Sequence, residues 1–146
     1  MSMKHDIQVI IIIGLPGSGK TTLTNKYIDN YKIYDDYVSK FYNGKILRNI
    51  KEGKKICLND PRLCNIITFE RHINKILKFI SKDKIKLILF KNDPIQCLEN
   101  IKNREKEKKD IVKTINYMTN IYDINCYKNF NHEIKNVYSS ISNHPS

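Results

Sequence analysis

The stretch IIIIGLPGSGKTTL, residues 10–23, decides the fold. A run of mostly β-branched residues, 7–13, is typical of a strand that is buried on both faces of a parallel sheet. Gly14 ends this run. After the glycine-rich loop, residues 21–31 have a pattern that predicts a helix. A strand, a glycine-rich loop and a helix therefore follow one another without interruption.

The loop matches the pattern G-x-x-x-x-G-K-S/T at every fixed position, and its flanking strand and helix are the context that this pattern requires. Glycines let the backbone N–H groups come close to phosphate oxygens, and the start of a helix favours anions. We therefore expect a nucleoside triphosphate here, held with Mg²⁺. The residues predicted to bind it are Gly14, Pro16, Gly17, Ser18, Gly19, Lys20, Thr21 and Thr22.

Two side chains of the loop have predicted roles of their own. Lys20 is expected to reach the β- and γ-phosphates and to act in catalysis as a point charge. The Thr21 hydroxyl is expected to ligate Mg²⁺. The loop fits ATP or GTP equally well, and ATP is the expected donor.

Composition sets broad limits on the class of protein. The 146 residues predict one domain spanning 1–146, and 26 Lys+Arg against 15 Asp+Glu give a net charge of +11. Such a charge attracts nucleotides or nucleic acid, although a general bias towards lysine would produce it too. The four cysteines and four histidines show no zinc-ligand spacing. The apolar run near the N-terminus is too short for a membrane span, so we expect a soluble, intracellular, cytoplasmic protein without a membrane partner.

Strand and helix patterns alternate along the chain, which predicts an α/β fold. We expect a three-layer P-loop NTPase fold, with a parallel sheet of about four to five strands flanked by helices. The segment 133–141 fits either an edge strand or a docking helix. The expected strands cover 7–13, 31–37, 54–60 and 84–91, and the expected helices cover 21–31, 63–82, 94–109 and 111–124. The segment 39–53 is mixed, with helical spacing at Ile46, Leu47 and Ile50 and a helix stop at Gly53.

Acidic residues follow two of the predicted strands. Asp35 and Asp36 end the second strand, and Asp60 ends the third. Ligands bind at the carboxyl ends of parallel strands, and phosphoryl transfer to a hydroxyl needs a carboxylate that orients the oxygen and accepts its proton. The same aspartates are also good helix N-caps, and one residue can serve both purposes.

The remainder of the chain favours a small kinase over other nucleotide-binding classes. A GTPase would carry an N-K-x-D guanine-binding motif, and KNDP at 91–94 has the wrong order. Large ATPases need longer chains with additional modules. A nucleotide-dependent binding or regulatory protein without an acceptor stays open as an alternative.

The segments GLPGSGKTT, IYDDY, ICLNDPRLCN and LILFKNDPIQCLENIKNR, within residues 7–104, resemble the small P-loop kinases of the polynucleotide 5′-hydroxyl kinase type, whose relatives include zeta-toxin-like kinases. The resemblance implies that Asp35 is the general base on the acceptor hydroxyl, with Asp36 as the alternative. It also implies that Asp60 assists at the acceptor or the metal and that Arg104, in a lid at about 98–112, contacts the donor phosphates. An arginine of that family is replaced here by Val38, and a second by Asn100.

The acceptor is the least determined part of the prediction. Arg62 lies two residues after Asp60 and could hold an acceptor phosphate in place of the arginine missing at Val38; a plain surface arginine is the alternative. The first choice of acceptor is the 5′-hydroxyl of a polynucleotide, and a nucleoside or nucleoside monophosphate is the second. Oligomeric state is left open.

Overall fold

The computed structural model describes residues 6–35, 38, 44–102 and 108–139. Its strands are β1 (Val9–Ile13), β2 (Lys32–Asp35), β3 (Ile56–Asn59), β4 (Ile85–Phe90) and β5 (His132–Lys135). Its α-helices are α1 (Lys20–Thr24), α2 (Lys45–Lys51), α3 (Ile66–Ile76), α4 (Pro94–Ile101) and α5 (Lys108–Thr119). Short 3₁₀ helices lie at Pro61–Cys64, Lys82–Lys84 and Ile124–Tyr127.

All strand pairs are parallel, and the order across the sheet is β2-β3-β1-β4-β5. The strand that precedes the glycine-rich loop is therefore central, as its apolar run predicts. Residues 133–135 of the ambiguous tail segment lie in the edge strand β5, and residues 136–139 follow it as irregular chain rather than as a helix. The α/β class and the number of strands are confirmed.

The side chains of β1 alternate between two apolar clusters on opposite faces of the sheet. Val9, Ile11 and Ile13 join a large cluster with residues of α2, α3, α4 and α5. Ile10 and Ile12 join a smaller cluster that contains Leu23 of α1. Because each face of a buried strand needs its own cover, the chain forms three layers with the sheet in the middle.

The helix predicted at 21–31 is shorter than expected. α1 ends at Thr24, and turns follow to Asn30. The Thr24 hydroxyl donates to the Thr21 carbonyl at 2.8 Å, and the Tyr27 amide donates to the Thr24 carbonyl three residues back. Short side chains that bond the backbone compete with the regular α-helical ladder, which accounts for the early end.

The helix predicted at 63–82 begins later and ends earlier. Asn65 caps α3 by accepting a hydrogen bond from the Ile67 amide, so the preceding residues 61–64 form a separate 3₁₀ helix. Asp93 caps α4 in the same way, as the Asp-Pro pair predicts. α4 ends at Ile101 and α5 begins at Lys108, so residues 103–107 of the predicted lid lie outside the described residues.

In the described part of the chain, no helix is both long and apolar enough to cross a bilayer.

Candidate functional site

The glycine-rich loop lies at the carboxyl end of β1, against α4 and the segment that follows β5. Gly17 and Gly19 have φ angles of 84° and 107°, a region that side-chain-bearing residues rarely adopt. A Cβ on Gly17 would lie 2.7 Å from the Cys97 carbonyl oxygen, and one on Gly19 would lie 2.6 Å from the Tyr138 Cβ. A larger residue at either position would therefore strain the backbone and clash with a neighbouring atom.

Two further contacts hold the loop in place. The Tyr138 amide donates to the Ser18 carbonyl at 2.9 Å. The Asn100 side-chain amide donates to the Gly17 carbonyl at 2.8 Å and to the Tyr138 carbonyl at 2.6 Å. The asparagine that replaces an arginine of the resembled family thus joins the loop to the C-terminal segment.

Lys20 is 8 % exposed and its ammonium group is held by the loop itself. Nζ donates to the carbonyl oxygens of Gly14 at 2.8 Å and Leu15 at 2.7 Å. The charge of Lys20 lies close to two buried thiols, where it opposes the effect of burial. Burial nevertheless raises the pKa of Cys64 and that of Cys97 to about 12, so both remain neutral thiols.

A cleft of about 290 Å³ joins this loop to the ends of β2 and β3. Thr21 and Thr22 are exposed beside it, at the start of α1. The N-cap of α1 is Gly19, which has no side chain of its own to bond the first N–H groups of the helix. The residues lining the cleft are Pro16, Gly17, Gly19, Lys20, Thr21, Thr22, Asp35, Asn59 and Pro61.

A second cleft, of about 330 Å³, shares Gly19 and Thr22 with the first. It lies between α1 and the end of β5, where Lys135 closes the strand and Val137 and Tyr138 follow it. The two clefts are therefore neighbours on either side of Gly19 and Thr22.

Asp35 is exposed at the end of the edge strand β2 and lines the first cleft, where the sequence predicts it. Its Oδ1 accepts a hydrogen bond of 3.0 Å from Asn59 Nδ2. Asp35 and Asn59 are direct partners in the register of β2 and β3. Sequence reasoning missed Asn59, although its place at the carboxyl end of a predicted strand is the pattern that indicates it.

Asp60 is completely buried, and its carboxylate accepts hydrogen bonds from other residues of the chain. Oδ1 accepts from the Arg62 amide at 2.9 Å and from Arg62 Nε at 3.2 Å, and Oδ2 accepts from the Val38 amide at 3.0 Å. These contacts cap the 3₁₀ helix that follows and fix the backbone at residue 38. Asp60 has the N-cap role that the Asp-Pro pair also allows, and its role at the acceptor or metal stays a prediction.

Arg62 is half-exposed and pairs with Asp60 through one edge of its guanidinium group. It lines a third cleft, of about 500 Å³, with Pro61, Lys113 and Tyr117 among the residues around it. Pro61 belongs to both the first and the third cleft. Asp36 and Arg104 lie outside the described residues, and their roles stay predictions.

The residues present fit Mg²⁺ that arrives with a nucleotide. Within the described ranges, no three His, Cys, Asp or Glu side chains are grouped to hold a metal ion by themselves. Mg²⁺ at phosphates commonly keeps several waters and takes only one or two protein ligands. The exposed Thr21 hydroxyl beside the first cleft provides such a ligand.

A solved kinase structure has a similar architecture. No family model matches the chain. A gluconokinase from Sinorhizobium meliloti 1021 superposes with a TM-score of 0.59 and 9% identity, over 94% of this chain and 87% of that one. A deoxyadenosine kinase from M. mycoides, solved with bound dATP, superposes with a TM-score of 0.48 and 13% identity, over 92% and 94% of the two chains.

The gluconokinase likeness, taken with the parallel sheet and the glycine-rich loop, shows the P-loop kinase fold. A viral relative is much closer in sequence. The uncharacterized protein R277 of Acanthamoeba polyphaga mimivirus is 42% identical over 137 residues, which cover 91% of this chain and 99% of the relative. The chain belongs to the family of mimivirus protein R277, and its fold is that of the P-loop kinases.

Proposed function

We propose that this protein transfers the γ-phosphoryl group of a nucleoside triphosphate, with ATP as the expected donor, to a hydroxyl group. One observation carries the proposal: a single cleft brings the glycine-rich loop, Lys20 and Thr21 to the same space as the exposed carboxylate of Asp35. A phosphate-binding loop facing a carboxylate is the arrangement that phosphoryl transfer to a hydroxyl requires.

The donor side of the site is the glycine-rich loop. Backbone N–H groups of the glycine-rich loop and of the start of α1 bind the phosphates, and the base and sugar occupy the second cleft, which shares Gly19 and Thr22 with the first. Lys20 exchanges its bonds to the loop carbonyls for bonds to phosphate oxygens. Mg²⁺, held by Thr21, neutralises charge on the phosphates when bound.

The acceptor side is centred on Asp35. Its carboxylate orients the acceptor hydroxyl and receives the proton as the new O–P bond forms. The bond between the γ-phosphorus and the β,γ-bridging oxygen breaks in the same transfer, and the nucleoside diphosphate leaves. Asp36 is the alternative base. Arg104, in the predicted lid, is proposed to contact the transferred phosphoryl group, where its planar guanidinium suits phosphate oxygens.

A polynucleotide 5′-hydroxyl is the first proposed acceptor. The third cleft supports it, because Arg62 and Lys113 provide positive charge and the exposed Tyr117 ring provides a stacking surface beside the first cleft. Arg62 is therefore proposed to bind an acceptor phosphate through the part of its guanidinium group that does not face Asp60.

A nucleoside or nucleoside monophosphate is the second proposed acceptor. Val38 favours it, because this residue occupies the position of a phosphate-binding arginine in the resembled family and packs against the main apolar cluster instead. An acceptor without a polynucleotide chain would not need that arginine.

The test is transfer of labelled γ-phosphate from ATP to a panel of 5′-hydroxyl oligonucleotides, nucleosides and nucleoside monophosphates. We expect labelled oligonucleotide from the wild type and a small but measurable fraction of that labelling from Asp35→Asn. Asp29→Asn is the matched control, because Asp29 is exposed and does not line the cleft.

The outcomes separate the alternatives. Labelling of small molecules alone would replace the polynucleotide with a nucleoside or nucleotide acceptor. Full activity of Asp35→Asn would remove Asp35 as the base. Nucleotide binding with slow hydrolysis and no labelled acceptor would indicate a binding or regulatory protein.

A further inference from the structure

Asn59 is a polar residue in an otherwise apolar strand. β3 runs between β2 and β1, and the other residues of β3 are Ile56, Cys57 and Leu58, all fully buried. Asn59 itself is 5 % exposed. A buried amide at such a position costs free energy unless its hydrogen bonds are satisfied.

The side chain of Asn59 is only half satisfied. Nδ2 donates to Asp35 Oδ1 at 3.0 Å, and Oδ1 of Asn59 is buried without a hydrogen-bond partner among the described residues. Rotating the amide by half a turn would place its oxygen against the carboxylate of Asp35, so the charge of Asp35 fixes the orientation. The fold therefore gains little from this amide apart from the bond to Asp35.

Asp35 in turn depends on Asn59 for its position. It is exposed on the edge strand β2, where one side has no neighbouring strand, and its Oδ1 is tied to the inner strand β3 by this bond. A hydrogen bond to an ionised acceptor is stronger than a neutral one and restricts rotation of the carboxylate. Within the described ranges, the second oxygen of Asp35 accepts no hydrogen bond, so it remains for a ligand in the cleft that both residues line.

We infer that Asn59 is a positioning residue for phosphoryl transfer: it holds one oxygen of Asp35 so that the other receives the proton of the acceptor hydroxyl. This inference rests on the proposed function. Asn59 acts through Asp35 and forms no bond with the reacting atoms.

The first test replaces Asn59 with leucine, which is similar in size and lacks the amide. Asn59→Leu is expected to lower kcat by roughly 10- to 100-fold, since small misplacements of a catalytic group have effects of this size. We expect no change in the affinity for ATP. The melting temperature should be unchanged or higher, because an unsatisfied buried group has been removed.

Asn49→Leu is the matched control. Asn49 is also buried, and its Nδ2 donates to the Tyr34 hydroxyl on the same strand as Asp35, but it does not line the first cleft. This variant is expected to lose stability and to keep kcat. A fall in stability without a fall in kcat for Asn59→Leu would show that Asn59 is structural and overturn the inference.

A double-mutant cycle distinguishes positioning from an independent effect. In the Asp35→Ala background, Asn59→Leu is expected to produce no additional loss of transfer, because the group that it positions is absent. If the double variant instead lost transfer by the product of the two single-variant factors, the two residues would act independently and the inference would be overturned.

A measurement without catalysis separates this inference from the proposed function. The side-chain NH₂ signals of Asn59, identified in a ¹⁵N spectrum by their loss in Asn59→Leu, are expected to shift in Asp35→Ala and not in Asp29→Ala. Unmoved signals would overturn the inference by removing the bond. A wild type that shows the bond but transfers no phosphate to any acceptor would overturn the proposed function instead.

Discussion

Asn100 and Gly17 are joined by a hydrogen bond of 2.8 Å from the Asn100 side-chain amide to the Gly17 carbonyl. The same amide group donates to the Tyr138 carbonyl, and the Asn100 Oδ1 accepts from Gln96 Nε2 one turn earlier in α4. A single side chain thereby connects the glycine-rich loop, a helix and the segment after β5. The loop is consequently held before any nucleotide arrives.

Removal of this connection should weaken nucleotide binding. Asn100→Ala loses two hydrogen bonds to backbone carbonyls, each contributing about 0.5–1.5 kcal/mol. Without these bonds the loop is less ordered, and ATP binding must supply part of the free energy that orders it. We therefore expect ATP affinity, measured by titration calorimetry, to fall by roughly 3- to 10-fold. Asn120→Ala is the control, because the Asn120 side-chain amide donates to the Asn116 carbonyl one turn earlier and not to the glycine-rich loop. Equal affinities of Asn100→Ala and the wild type would contradict this role.

Substitution of Lys20 should abolish stabilisation by nucleotide. A ligand that binds only the native state adds about 2.7 kcal/mol when its concentration is one hundred times Kd. We expect Mg²⁺-ATP to raise the melting temperature of the wild type and to leave that of Lys20→Met unchanged. Lys51→Met, at an exposed position of α2, should respond like the wild type. A normal response of Lys20→Met would exclude Lys20 from phosphate binding.

Gly19 and Gly44 can be compared to separate two effects of adding a side chain: backbone strain at positive φ, and a steric clash of the new Cβ. Both have positive φ, but a Cβ on Gly19 would meet Tyr138 at 2.6 Å, whereas one on Gly44 would have nothing within 4 Å. Gly44→Ala should cost roughly 1–2 kcal/mol of unfolding free energy, from the backbone alone. Gly19→Ala should cost more, and it alone should lose ATP binding. Denaturant unfolding and calorimetry check both, and equal losses for the two variants would be inconsistent with the close contact.

Buried thiols predict a loss of stability in alkali. Burial raises the pKa of Cys57, Cys64 and Cys97 to about 12, from 9.0 for a free thiol. Above pH 9 the unfolded chain loses thiol protons that the folded chain keeps, so the stability present below pH 9 is lost as pH rises towards 12. Each thiol lowers the free energy of unfolding by up to about 1.4 kcal/mol per pH unit in this range.

The measurement is unfolding by urea under reducing conditions at pH 8, 9 and 10. Cys57→Val removes one titrating group and retains an apolar residue suited to β3. The decline of this variant between pH 9 and 10 should be shallower than that of the wild type. If the free energy of unfolding fell equally for Cys57→Val and the wild type between pH 9 and 10, groups other than Cys57 would be responsible for the loss of stability.

The central strand, the loop and the alternation of elements could be predicted because each leaves a local pattern. The apolar run of β1 is buried on both faces, and the glycine pattern lies between a strand and a helix. Asp35 was predictable for the same reason, since strand ends can be located approximately from sequence and parallel strands end at one edge of the sheet.

The partners of these residues could not be predicted, because they come from distant parts of the chain. Asn59 reaches Asp35 only through the register of β2 and β3, and Asn100 reaches Gly17 only through the packing of α4 on the loop. Helix ends were also inaccurate where Thr24 and Asn65 bond the backbone. Such short-range bonds compete with helix formation in ways that apolar spacing does not reveal.

The bond between the Tyr138 amide and the Ser18 carbonyl has a consequence for synthesis of the chain. The glycine-rich loop leaves the ribosome early, whereas the segment that holds it is translated much later. An interrupted polypeptide can contain the whole phosphate-binding motif and still lack this bond to the loop. We therefore expect a chain interrupted before Tyr138 to bind nucleotide more weakly than a chain translated through Tyr138.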